Sequence, residues 1–390
     1  MNNTVTDTIK YIGVDDTTID LFEGQYVVPE GVSYNSYVIL DEKVAVMDTV
    51  DKRGMQAWEN NLVAALDGRK VDYLVIQHME PDHAGSIARL MELYPEVTLV
   101  GNAKTFAMFS QFFDMSVEGK TITVKEGESL SLGQHNLTFV MAPMVHWPEV
   151  MVTYESSEKI LFSADGFGKF GALSLTENDD WACEARRYYF NIVGKYGIPV
   201  QALLKKAAAL DIQCICPLHG PVLKENIGYY IGLYDTWSSY KPENRGVLIA
   251  YASFHGNTAA AAEKLAELLK AKGEEKVVVS DLARSDMAEV IEDAFRYDRM
   301  VVAAPTYDAG IAPVMQDFLL HLQSKAYQNR TVAVIENGSW APTAAKQMKT
   351  MLEAMKNVSI IENTVTIRSV MKAEDEKKLE SLADELTNIK

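Results

Sequence analysis

The chain has 390 residues, 48% of them hydrophobic, with a mean hydropathy of -0.07, a formal charge of -17 and an isoelectric point near 4.9. At roughly 100–200 residues per domain it is long enough for two domains. The negative balance, with no run of lysine or arginine, excludes nucleic acid or an anionic membrane as the main partner, and no apolar run approaches the ~20 residues needed to span a bilayer. The amino terminus, MNNTVTDTIKYIGVDD, has neither the basic nor the apolar part of a signal peptide. Cys183, Cys214 and Cys216 form no secretory framework and are expected to be reduced and structural, so a cytoplasmic protein is expected.

In chain order, strand-length apolar segments bounded by turn residues fall at 36–40, 44–49, 71–77, 97–100, 137–142, 151–154, 159–163 and 213–217. Helical patterns at 54–66, 85–94 and 181–193 lie between them, so this half mixes helices and strands around at least one sheet. From Gly246 the rhythm becomes regular: strand 246–251, helix 258–271, strand 276–280, helix 286–295, strand 299–303, strand 331–335 and a last helix near Ala373–Asn388. That alternation predicts an α/β fold with a doubly wound parallel sheet. The polar stretch SSYKPENR, residues 238–245, separates the two rhythms, giving an expected domain over 1–244 and another over 245–390. Charge divides the same way, with a net of -14 before residue 245 and -3 from there on.

Potential metal ligands crowd the first half. The apolar segment 71–77 runs directly into His78, Glu80, Asp82 and His83, four ligands in a six-residue loop at the end of a strand, where α/β folds gather their chemistry. Each of those residues alone reads as a cap or a paired charge; four together point to a shared function. His146, Asp165 and His219 each follow another apolar segment, so all seven can converge on one sheet edge. Burying three carboxylates and four imidazoles without a cation is costly, and a pair of divalent ions removes that cost.

The order H-x-x-x-D-H, then His, then Asp, then His, resembles the metallo-β-lactamase fold, whose hydrolases carry H-x-H-x-D-H on this loop. Here Glu80 stands in place of the middle histidine, and a harder, more anionic site suits iron better than zinc. With a flavodoxin-like half behind it, the pattern resembles the flavodiiron proteins, or A-type flavoproteins. The resemblance spans essentially the whole chain and implies a metallo-β-lactamase-like αββα sandwich followed by a flavodoxin-like sheet. It also implies that His78, Glu80 and His146 hold one iron, that Asp82, His83 and His219 hold the other, and that Asp165 bridges them. Glu23 stands where some members carry a histidine near the substrate pocket, and this departure bears on the preference between oxygen and nitric oxide. Trp147 and Tyr188 or Tyr189 are further pocket candidates beside a packing role, with Tyr189 the one favoured.

After the segment 246–251 come Ser253, Phe254, His255, Gly256, Asn257 and Thr258, then an alanine-rich helix. Hydroxyl and amide donors plus a glycine at a helix amino terminus make an anion pocket, although a simple capped helix has the same signature. Neither the Walker A nor the GxGxxG spacing is present; the loop resembles the FMN-phosphate loop of flavodoxins. Two later loops strengthen that reading: Pro305, Thr306, Tyr307, Asp308, Ala309 and Gly310, and then Asn337, Gly338, Ser339, Trp340 and Ala341. Both follow parallel strands and supply backbone donors and aromatic rings. In the family these loops hold FMN, with Trp340 a candidate to cover the ring.

The resemblance implies an oxidoreductase that reduces O2 to water or NO to N2O with electrons passed through FMN, protecting against oxygen or nitrosative stress. It implies a head-to-tail homodimer, or a dimer of such dimers. No CxxC pair is present, so no fused rubredoxin domain is expected, and a separate rubredoxin-type donor served by an NADH-dependent reductase is. A binuclear zinc hydrolase and a flavodoxin-type carrier with a structural first domain are the other classes compatible with parts of the pattern. Glu80 argues against the hydrolase, and the complete ligand set against the carrier.

Overall fold

A computed structural model describes residues 5–176 and 180–389. Residues 1–4, part of the stretch read above for a signal peptide, and Lys390 lie outside the described residues. The chain divides into two compact units, Met1–Tyr189 with Ile198–Asp235, and Phe190–Gly197 with Thr236–Lys390.

Two sheets face each other in the first unit. One has the strand order Ile9–Tyr11, Tyr37–Leu40, Val44–Met47, Tyr73–Val75, Thr98–Gly101, Thr121–Thr123, antiparallel over its first two pairings and parallel over the rest. The other runs Ser129–Ser131, Asn136–Met141, Met151–Glu155, Ile160–Phe162, Cys214–Cys216. Val44–Met47 shows why the sheets pair: Ala45 and Met47 point into the shared core, while Val44 and Val46 are buried on the opposite face. A strand with both faces covered has to be apolar throughout, as VAVM is. Across the core, Tyr37 meets Phe162 edge to face at 5.5 Å. Cys214 and Cys216, free thiols 4.0 Å apart, belong to the same core.

This architecture is the expected αββα sandwich, and it fixes where the site forms. Asn136–Met141, Ile160–Phe162 and Cys214–Cys216 all run in one direction, so His146, Asp165 and His219 follow strand ends on one edge. The segment read as a helix over 85–94 is helical only over Ile87–Leu93, with a separate helical turn, Pro81–Ala84, just before it. Gly85 marks the break, because a Cβ there would lie 2.5 Å from the Pro81 carbonyl oxygen. The helix expected over 181–193 is α-helical only over Trp181–Tyr188; Tyr189–Val193 forms a π-turn and Gly194–Tyr196 a 3-10 turn. The sequence patterns also did not isolate the helices Ala103–Phe112, Gly197–Ala207 and Ile227–Ser238, nor Pro313–Ser324 and Ala344–Glu353 in the second half.

The second unit is a parallel sheet in the order Val277–Asp281, Asn244–Tyr251, Tyr297–Tyr307, Thr331–Asn337, with Ser359–Ile360 and Val365–Ile367 both paired to the last. This is the 2-1-3-4-5 order of flavodoxin-like folds, which place their ligand at the switch between the first and third strands. The strand read over 299–303 runs on to Tyr307, because Gly310–Ile311 turns back and pairs with Thr306 and Tyr307. Residues 190–197 join this unit through packing: Phe190 stacks on Phe295 at 4.3 Å, and the Asn191 amide donates to the Ala288 carbonyl at 3.1 Å.

Candidate metal centre and flavin cavity

The seven ligands proposed from the sequence meet as two sets. His78, Glu80, His146 and Asp165 form one, and Asp82, His83 and His219 the other; within each, the ligand atoms lie within 4.8 Å of one another. Asp165 Oδ2 lies 3.2 Å from both His78 Nε2 and His146 Nε2, while Oδ1 lies 3.2 Å from His83 Nε2 and 3.7 Å from His219 Nε2. Glu80 Oε2 completes the first set at 3.1 Å from His78 and 3.0 Å from His146, and Asp82 Oδ2 the second at 3.4 Å from His83 and 3.3 Å from His219. One carboxylate therefore presents an oxygen to each set.

The polar accounting of this site calls for cations. Both oxygens of Asp82 and of Asp165, and Nε2 of His83 and of His146, are buried without a hydrogen-bond partner, which is expensive unless something else satisfies them. Burial opposes charge on the His146 ring, yet Asp165 and Glu80 outweigh it and push the imidazole up to about 9. Asp165 is driven the other way, well below the usual carboxylate range: burial raises it, but the surrounding imidazoles prevail. The carboxylates thus demand positive charge on the rings, and metal ions supply it by displacing those protons.

Side chains around the ligands hold them in place. His78 Nδ1 is 2.8 Å from Glu149 Oε1, which also accepts the Met79 backbone N–H at 2.9 Å. His219 Nδ1 is 2.7 Å from the Ser33 carbonyl oxygen, and Asn35 donates from Nδ2 to the carbonyls of Pro217, at 2.8 Å, and Gly220, at 2.7 Å. Trp147 lies edge-on to His78 at 5.3 Å and near His146 at 6.2 Å. Of the two tyrosines, Tyr188 lies against the His219 ring at 5.5 Å, whereas Tyr189 meets Tyr234 at 5.1 Å, so Tyr188 replaces Tyr189 as the pocket candidate. Glu23 sits in the turn between Leu21–Phe22 and Tyr26–Val27 with a left-handed φ of 50°. The residue is exposed as a whole, but its carboxyl leans on Glu80. Burial, then the Glu80 charge, pushes it up to about 7 against the pull of His146.

In the second unit the three loops predicted from the sequence close on one cavity of about 590 Å³, within the range of cofactor sites. Gly256, Tyr307 and Gly310 are off its wall, and Ser369, which the sequence did not suggest, is on it. Gly256 supplies the left-handed turn, φ 82°, that starts the helix Asn257–Ala271. Tyr307 instead packs edge-on to Phe254 at 5.1 Å. Ser253 Oγ is buried beside that helix start without a hydrogen-bond partner, and Trp340 is 81% exposed at the rim. An orphan hydroxyl at a helix amino terminus fits a phosphate, and an exposed indole beside a cavity of this size fits a flat ring.

Comparison with known proteins agrees with both halves. The ODP family beta lactamase profile matches residues 32–220, and a flavodoxin domain profile matches residues 248–375. A nitric oxide reductase of Moorella thermoacetica is 32% identical over 383 residues, covering 95% of this chain and 94% of that protein. This chain belongs to the flavodiiron protein family. Rubredoxin oxygen:oxidoreductase from Desulfovibrio gigas superposes with a TM-score of 0.91 at 27% identity, covering 98% of this chain and 96% of that one. A mutant form of the flavo di-iron protein from Thermotoga maritima superposes with a TM-score of 0.87 at 25% identity, covering 97% and 95%.

Three contributors to this flavodiiron site escaped the sequence reading. Glu149 sits three residues after His146 in HWPE, a local hint of an acid near a ligand, but its partner His78 is 71 positions away. Asn35 reaches across even longer separations, and Ser369 follows the strand Val365–Ile367 without any motif of its own.

Proposed function

We infer that the protein is a flavodiiron oxidoreductase that reduces O2 to water, NO to N2O, or both, at a non-haem diiron site fed by FMN. The observation that carries this reading is Asp165, one carboxylate serving two imidazole-rich ligand sets, in a chain that also holds a flavin-sized cavity. Donors that are all nitrogen and oxygen, with two imidazoles in each set, fit iron. FMN and two irons together would supply up to four electrons, enough for either reaction.

The chain's own residues prepare the site. His78, Glu80 and His146 would hold one iron, Asp82, His83 and His219 the second, with Asp165 between them. Trp147 and Tyr188 place aromatic surface against ligand rings and restrict water there. The Glu23 carboxyl, which leans on Glu80, is a candidate polar group of the pocket. Ser253 and the amino terminus of Asn257–Ala271 would take the FMN phosphate, and Trp340 would cover the ring.

In keeping with the family, we propose residues 1–244 as the diiron domain and 245–390 as the FMN domain. We likewise propose a head-to-tail homodimer in the cytoplasm and a rubredoxin-type donor. Relatives named flavorubredoxin and rubredoxin oxygen:oxidoreductase support the choice of donor. Stopped-flow reoxidation of the fully reduced protein with O2 and with NO in parallel tests the chemistry and ranks the substrates. Metal analysis of anaerobically purified protein completes the test, since zinc without iron would overturn the reading.

A further inference from the structure

By ligand type the two metal positions are equal. Each has two imidazoles and one carboxylate of its own, and each faces one oxygen of Asp165. What distinguishes them lies behind the rings. His78 Nδ1 is backed by the carboxylate of Glu149 at 2.8 Å, which is fully buried and whose Oε2 has no hydrogen-bond partner. In the other set, His219 Nδ1 meets a neutral acceptor, the Ser33 carbonyl, and His83 Nδ1 has no hydrogen-bond partner.

The geometry points to Glu149 as a positioning residue that makes the two metal positions unequal, so that the ion held by His78, Glu80 and His146 is bound the more tightly. A carboxylate on Nδ1–H fixes the tautomer that leaves Nε2 free for the metal, and raises the basicity of that nitrogen. The anion is buried, and what offsets it is the His78 ring and the backbone N–H groups of Met79 and of Glu149 itself, so its field falls on that ligand rather than on solvent. Glu149 is also fastened at its backbone, where its carbonyl accepts from the Asn102 side chain.

This inference rests on the two-iron reading, and the test separates the two. Full-length, iron-loaded protein is exposed anaerobically to a ferrous chelator under reducing conditions, and iron release is followed with time. Expected are two phases, one iron per chain leaving at least about 10-fold faster than the other. In Glu149→Gln, which keeps the size but removes the charge, the slow phase accelerates by about 10–100-fold while the fast phase holds. One of two Mössbauer quadrupole doublets shifts in that variant, and Glu149→Asp, which restores the charge, recovers part of the slow phase. Unchanged far-UV circular dichroism and FMN content report that the variants are folded. Equal phases in the unaltered protein, or a Glu149→Gln variant that changes both phases alike, overturn the inference. Protein that holds no iron overturns the two-iron reading instead.

Discussion

The backbone N–H of Phe167 donates to the Tyr234 hydroxyl at 2.6 Å, and the two rings stack at 4.2 Å. The loop that carries Asp165 is thereby pinned from the helix Ile227–Ser238 behind it. Phe167 and Ala164, either side of the ligand, have left-handed φ values of 66° and 49°, so the loop needs outside support. Tyr234→Phe keeps the stacking and leaves a buried N–H unpaired, which is expected to cost about 1–3 kcal/mol. Thermal unfolding of the iron-loaded protein measures it. A midpoint that does not move would show the loop to be supported elsewhere.

Asp165→Asn removes the charge that both ligand sets share. Iron content is expected to fall below two per chain and diatomic reduction to fall by more than about 100-fold, beyond the range typical of changes behind the ligands. The FMN spectrum should be unaffected, because the cavity is built from other residues. Atomic absorption and flavin absorbance on one preparation check both halves of this expectation.

Ser253→Ala tests the flavin cavity. The hydroxyl is buried and unpartnered without ligand, so its loss should leave the FMN-free protein as stable as before or slightly more so. With FMN it should remove one charge-assisted hydrogen bond to the phosphate, worth about 1.5–3 kcal/mol, or roughly 10–100-fold in affinity. Fluorescence titration with FMN and with riboflavin, which lacks the phosphate, separates the effects. Equal weakening for both ligands would place Ser253 elsewhere than at the phosphate.

A pH dependence is expected far from the metal. His135 Nδ1 lies 3.2 Å from Glu155 Oε1, and Nε2 lies 2.9 Å from Thr8 Oγ1, latching the amino-terminal segment to the second sheet. The Glu155 carboxylate beside it outweighs burial and raises the imidazole above its ordinary 6.5. Burial raises Glu155, but His135 and the backbone N–H groups of Glu158 and Ser157 outweigh it and bring the carboxyl down to about 2. A raised imidazole stabilises fully below 6.5 and loses that stabilisation as pH rises through its folded value. A lowered carboxyl stabilises above its ordinary 4.5 and loses that as pH falls toward 2. The latch should therefore be strongest between about pH 4.5 and 6.5. His135→Gln should cost about 1–3 kcal/mol near pH 6 and flatten the decline above it. Unfolding midpoints from pH 5 to 9 in both proteins decide the matter; parallel curves would exclude the latch.

The ligands were legible because each follows an apolar strand, and strand direction then fixes the edge on which it emerges. Glu149 was not, because nothing in HWPE says that the acid turns back toward His78. Between the adjacent Tyr188 and Tyr189 the sequence carries no discriminating signal; the packing sets Tyr188 against the His219 ring and Tyr189 against Tyr234. In the second half the alternating rhythm announced a doubly wound parallel sheet, but Ser369 closes the cavity from a loop with no phosphate-type signature. Its backbone N–H donates to Asn337 Oδ1 at 3.1 Å and its carbonyl accepts from Asn337 Nδ2 at 2.9 Å, a pairing only the sheet register brings about.

Asn35 holds the carbonyls of Pro217 and Gly220 across 182 and 185 positions of chain, and Tyr37 reaches the same Pro217 carbonyl at 2.7 Å. His219 is thus oriented by residues made near the start of synthesis, while it is itself made more than halfway through. No nascent chain shorter than about Gly220 can own a complete set of ligands, and contacts of such sequence separation close late in folding because of their loop entropy. The seven proposed ligands therefore come together only through contacts of long sequence separation, unlike the short local ligand spacing of a zinc finger.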